Sequence, residues 1–227
     1  MLSAFSKGLQ QLDDRAVRRV LWLGIGAAVL ALIALWAAVG YALTHFALFE
    51  TGWLNTAIDI LGGLATLVLT WVLFPVVIST VMGLWLEDVA DAVEARHYPA
   101  LPKAHGQSIG QTALIAARFL AVAVGLNLLI LPLIILPPVF PFVFYSVNGY
   151  LLGREYFELV ALRRIGFEEA RALRKANQGR LFVAGVAVAF LLTVPLVNLL
   201  APLVATAAMV HLFQAWRGDN APHLRRA

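Results

Sequence analysis

Ionisable side chains are scarce along this sequence, so each cluster of them raises a question of chemistry. Arg15, Arg18 and Arg19 stand at the head of a long apolar run that begins at Val20. Guanidinium groups offer paired donors, and a helix N-terminus adds free backbone N–H groups and a positive dipole end. Together they suit the capture of a dianion. The same three cations equally suit a positive-inside anchor. Asp59 sits a turn or so into another apolar run, beside "LGGLAT". A carboxylate at membrane depth is costly, and a functional one there would carry a proton. Near the outer interface, beside Trp53, a merely hydrated carboxylate is the plainer alternative. His211, in "AAMVHLFQ", is either a second titrating group or a packed, hydrogen-bonded residue. No zinc-type His spacing, P-loop or convincing Ser–His–acid set is present, so no enzyme, metal or cofactor is expected.

The elements that position these groups follow from composition. Of 227 residues, 61% are hydrophobic and 13% charged, and the mean hydropathy is +0.84. A soluble domain of this length needs more polar surface, so the expected class is an all-α integral membrane protein. Val20–Phe49, Ile60–Leu86, Phe119–Gly153 and Leu181–Trp216 carry no Asp, Glu, Lys or Arg. Each exceeds the roughly 20 residues that cross a hydrocarbon core. The first run lacks a cleavage-like site and reads as a retained span. There is no cysteine, which excludes disulfides and thiolate chemistry.

Charge placement sets the expected topology. All 17 Lys and Arg fall in Lys7–Arg19, Arg96–Arg118, Arg154–Arg180, Arg217 and Arg225–Arg226. None lies in Leu43–Trp53, Pro132–Pro141 or Pro195–Pro202. The positive-inside bias puts both termini in the cytoplasm and those turns on the other side. The basic residues hug span ends without a recognised binding motif, so no nucleic-acid partner is expected.

"LPLIILPPVFPFV" interrupts the third run. Setting aside Pro132 to Pro141 leaves about 13 uncharged residues before and 12 after. At about 1.5 Å per residue neither half crosses the core alone. The fourth run repeats the pattern, with Pro195, Asn198 and Pro202 between two apolar segments of about 14 residues. Both blocks therefore read as hemi-penetrating helical hairpins, and two tilted complete spans per block are the alternative. The expected plan is a single membrane domain, 1–227. A surface segment (1–16) precedes two long transmembrane helices (17–49 and 54–97) and the first hairpin (107–165). A cytoplasmic amphipathic helix (167–178), the second hairpin (181–216) and a tail (217–227) follow. Gly62, Gly63, Gly149, Gly153 and Ala205–Ala208 allow close helix approach, and Asn127, Asn148 and Asn198 are expected to tie helices or turns together.

"GLQQLDDRAVRR", "DAVEAR", "NGYLLGREYFEL" and "VPLVNLLAPLVATAAMVHLF" resemble the CysZ-type sulfate permease family, which shares a domain with the etoposide-induced membrane proteins. The resemblance spans nearly the whole chain, with its motifs in order. It implies a bacterial inner-membrane protein that admits sulfate for assimilation, built from two crossing helices and two hemi-penetrating hairpins. It also implies a homo-oligomer, dimeric or larger. The family's sulfate-binding motif, a Gly, nine intervening residues and Arg-Arg, maps onto Gly8, Arg18 and Arg19. The family's Pro-Gly turn is replaced by Arg15-Ala16, so Arg15 stands as an extra cation or the site is altered. Asp91, Glu94 and Arg96 match an acid-rich helix end that contributes ion pairs near the inner part of the family's pathway. As a gate they would release Arg to a bound anion, and a solvated helix face is the alternative. Two functions stay open: a permease for sulfate or a related oxyanion, and a non-transporting scaffold whose basic rim holds anionic lipid.

Overall fold

The structure is a computed structural model that describes residues 2–45, 52–104, 109–194 and 197–224. Nine helices order the described chain: α1 (Leu2–Gln10), α2 (Arg15–His45), α3 (Gly52–Gly83), α4 (Leu86–His97), α5 (Ile109–Ile130), α6 (Phe140–Ala161), α7 (Phe167–Ala176), α8 (Gln178–Thr193) and α9 (Val197–Leu224). Short 3-10 turns at Gln11–Asp13 and Leu131–Ile135 complete it, and no strand occurs among the described residues. The protein is an all-α integral membrane protein. Arg15–Ala42 and Val197–Gly218 are long and apolar enough to cross a bilayer, at 28 and 22 residues. At about 1.5 Å per residue they reach roughly 42 and 33 Å, against a core of about 30 Å.

The chain divides into two compact units, Arg18–Trp85 and the remainder (Met1–Val17 with Leu86–Ala227). Within the first unit, Gly24 lets α2 approach α3: a methyl there would stand 2.8 Å from Met82 Cγ. Met82 and Ile78 are fully buried. Further along, the Trp36 indole donates to Thr70 Oγ1 at 2.9 Å. Trp22, Leu30, Ile33, Leu64 and Trp71 face outward, an apolar surface that is stable against lipid tails.

The core of the second unit is α9, whose residues Ala201 to Phe213 are all buried. Phe157 of α6 meets Phe213 edge-to-face at 6.2 Å and Trp216 at 6.3 Å. α6 and α8 pack through glycine. Gly185 fits where a methyl would overlap the Gly149 carbonyl oxygen, and a methyl on Gly153 would reach within 2.5 Å of the Leu181 carbonyl. That is the close approach expected of Gly149 and Gly153.

The prolines of the third apolar run do mark its turn. Pro132 enters the 3-10 turn and Pro141 occupies the first turn of α6, where a missing N–H is harmless. The fourth run turns sooner than its prolines suggest. Asn198 and Pro202 lie inside α9, whose backbone is already helical from Val197. Pro202 forgoes one backbone bond, a loss the buried packing of the next three turns outweighs. Pro195 lies outside the described residues. Asn127 and Asn148 donate to carbonyls four residues back in their own helices (2.8 and 2.9 Å), not across helices.

Candidate functional site

Asp14 decides the character of the α2 N-terminus. Its extended backbone ends the 3-10 turn, and its Oδ1 accepts the Ala16 N–H at 2.9 Å. This is an N-cap in the position just before Arg15. One of the N–H groups that an anion would seek is therefore already satisfied by a carboxylate. Arg15, Arg18 and Arg19 point outward, and no ion pair engages any of them among the described residues. Gly8 serves a different contact. It is buried where α1 crosses α9, and a methyl on it would stand 2.9 Å from the Val204 carbonyl and 3.3 Å from the Ala208 amide. The small residues Ala205–Ala208 of α9 make that crossing possible.

The acids of α4 are tied down by two arginines from the turn just after α6. Glu94, 4% exposed, receives both arms of Arg164, with Nε–Oε1 at 3.0 Å and Nη2–Oε2 at 2.6 Å. Arg163 Nη1 lies 3.6 Å from the same carboxylate, and its Nη2 donates to Asp91. Arg164 also donates to the Pro102 carbonyl, which pins the segment after α4. Two carboxylates and two guanidinium groups leave the cluster neutral. Arg96 takes no part in it. Arg96 is exposed and stands 4.0 Å from Asp14. A residue two positions from Glu94 projects from another face of the helix, so the expected trio cannot converge. Arg163 and Arg164 were legible only as a basic pair after an apolar helix, and nothing local distinguishes such a pair from a surface anchor.

A second charged set bridges α6 and α7, where Glu158 binds Arg154 at 2.8 Å and lies 3.7 Å from Arg174. His211 of α9 is packed and hydrogen-bonded: its Nδ1 pairs with the Tyr98 hydroxyl at 2.9 Å, and its ring meets His97 edge-on at 4.9 Å. His97 Nε2 pairs with Gln11 Oε1 at 3.1 Å. Burial, then the charges of Arg96 and Lys7, hold His97 below the ordinary imidazole value, and burial raises the Tyr98 phenol. Asp59 belongs to α3, and its carboxylate lies outside the described residues. No group of His, Asp or Glu among the described residues is placed to hold a metal.

The family model described as sulfate transporter CysZ/etoposide-induced protein 2.4 matches residues 4–202. The chain belongs to this family. Comparison with curated proteins finds no significant match to the chain. Membership of the sulfate transporter CysZ/etoposide-induced protein 2.4 family makes this a transporter-like membrane protein of a non-enzymatic family.

Proposed function

We propose that the protein is a sulfate permease of the bacterial inner membrane, supplying sulfate for assimilation. The observation that carries this reading is the family match over residues 4–202, which spans the arginine-bearing start of α2. Arg15, Arg18 and Arg19 capture the dianion as charge-assisted donors. The Asp14 cap makes this capture depend on side chains more than on free backbone N–H groups. Gly8 supports it indirectly, by seating α1 against α9. Asp91 and Glu94 act with Arg163 and Arg164 as a neutral latch, since both acids already have partners. Proton coupling through Asp59 or His211 belongs to the same reading, as do cytoplasmic termini and assembly as a homo-oligomer.

The test is uptake of labelled sulfate into sealed liposomes that hold the purified protein, against empty liposomes and excess sulfite. Saturable, protein-dependent uptake that is lost in Arg18→Ala/Arg19→Ala supports the permease. The occupied N-cap at Asp14 favours one competing reading, a scaffold whose basic rim holds anionic lipid. No uptake by folded protein, with binding that follows lipid charge and fades with salt, would establish that reading instead.

A further inference from the structure

A cavity of about 560 Å³ opens within the second unit, and none of Arg15, Arg18 and Arg19 is among the described residues that line it. Its wall draws on four separate parts of the chain: Ser3 and Lys7 of α1, Tyr98 after α4, Arg180 of α8, and His211 and Gln214 of α9. Two of these are cations, and no acid among the described residues lines the cavity. His211, 5% exposed, leaves its Nε2 without a hydrogen-bond partner, as does the Gln214 amide nitrogen. Buried polar atoms without partners are uncommon and call for a ligand or water.

The chemistry of the missing partner can be read from the donors. An amide nitrogen only donates. The Tyr98 hydroxyl and His211 Nδ1 share a hydrogen bond, and in the tautomer whose Nδ1 accepts from the phenol the imidazole carries its proton on Nε2. In that tautomer both orphaned atoms are donors in want of an acceptor, and the Gln214 amide nitrogen is one in either. Lys7 and Arg180 add donors that carry full charge. An acceptor-rich anion matches this wall, and a cation or an apolar guest does not.

We propose that this cavity is a binding site for a tetrahedral oxyanion group, separate from the arginines of α2. Lys7 and Arg180 supply the charge, and Gln214 and His211 the neutral donors, after small side-chain rotations that turn them to the guest. Pockets that hold small molecules run from about 300 to 1,000 Å³, so the cavity has room beyond a bare ion. The group is therefore either a free sulfate or phosphate with its water, or the phosphate of a lipid headgroup. The proposal does not rest on sulfate uptake.

The experiment uses the full-length protein, stripped of lipid in detergent, with labelled sulfate and inorganic phosphate in equilibrium dialysis. A second arm measures binding of a short-chain phosphatidylglycerol. Lys7→Ala/Arg180→Ala and the charge-keeping Lys7→Arg/Arg180→Lys are each added to an Arg18→Ala/Arg19→Ala parent, which removes capture at α2, and are compared with that parent. Size exclusion shows that each variant is folded. Loss of about tenfold or more in affinity for a free anion when Lys7→Ala/Arg180→Ala is added to that parent, with affinity retained when Lys7→Arg/Arg180→Lys is added instead, assigns a free oxyanion. The same pattern confined to the phosphatidylglycerol arm assigns a headgroup. Binding of no probe by the Arg18→Ala/Arg19→Ala parent, or unchanged binding when Lys7→Ala/Arg180→Ala is added and the protein stays folded, overturns the proposal.

Discussion

Replacing Glu94 by alanine removes the one carboxylate that faces both buried arginines. Glu94 is 4% exposed, and Arg163 and Arg164 are 6% and 7% exposed. Among the described residues, the variant leaves Arg164 with the Pro102 carbonyl and Arg163 with the outward-lying Asp91. Breaking a buried pair by deleting one partner costs about 3–5 kcal/mol, because the remaining charge cannot regain water. For a chain of this length each kcal/mol moves the thermal midpoint by about 2–4 °C, so a fall of roughly 6–20 °C is expected. Asp91 is 61% exposed, so Asp91→Ala is expected to lose only about 1 kcal/mol or less. The assay is thermal unfolding of purified protein in one detergent, followed by size exclusion. Adding Arg164→Ala to Glu94→Ala removes one stranded charge, and the pair should show a coupling of roughly 0.5–3 kcal/mol in a double-mutant cycle. A Glu94→Ala midpoint no lower than that of Asp91→Ala would refute the claim that burial governs this cluster.

Three further outcomes are expected. Gly185→Ala, whose methyl would overlap the Gly149 carbonyl, should destabilise α6–α8 packing by at least about 1–3 kcal/mol, seen as a lower midpoint or yield. Gly179→Ala, with open space around it, is its control. Asp14→Ala should lose about 0.5–2 kcal/mol of stability with the α2 cap, while freeing the Ala16 N–H and leaving sulfate binding equal or tighter. Weaker sulfate binding in that variant would mean the cap helps hold the anion. Because His97 is held below 6.5 in the folded protein, the unfolded chain takes up its proton first as pH falls. Its contribution to stability is full above about pH 6.5, declines below it and levels off under the folded value. The thermal midpoint from pH 7.5 to 5 should therefore fall less in His97→Asn than in wild type. Identical slopes would dismiss His97 as the source.

Composition and order of residues determine the class of this protein, because a bilayer admits few backbones. Hydrocarbon offers no partner for N–H and C=O groups, so a long apolar run such as the one that begins at Val20 folds as a helix. Pro132 and Pro141 likewise announce their turn, since a missing N–H is tolerated best where a helix ends or begins. The motifs from "GLQQLDDRAVRR" to "VPLVNLLAPLV" suffice for the family. Which charges meet is another matter. Glu94 pairs with Arg164 across 70 positions, and the nearer Arg96 is excluded by the rotation of α4. Gly8 looks like part of an anion motif, yet α9 gives it a packing duty that no local pattern reveals. The cavity between Lys7, Tyr98, Arg180 and Gln214 exists only once four distant segments converge. Hydropathy and turn chemistry act over a few residues and are legible in order along the chain. Charge pairing and close packing are decided by which helix faces meet, and only the tertiary structure brings those faces together.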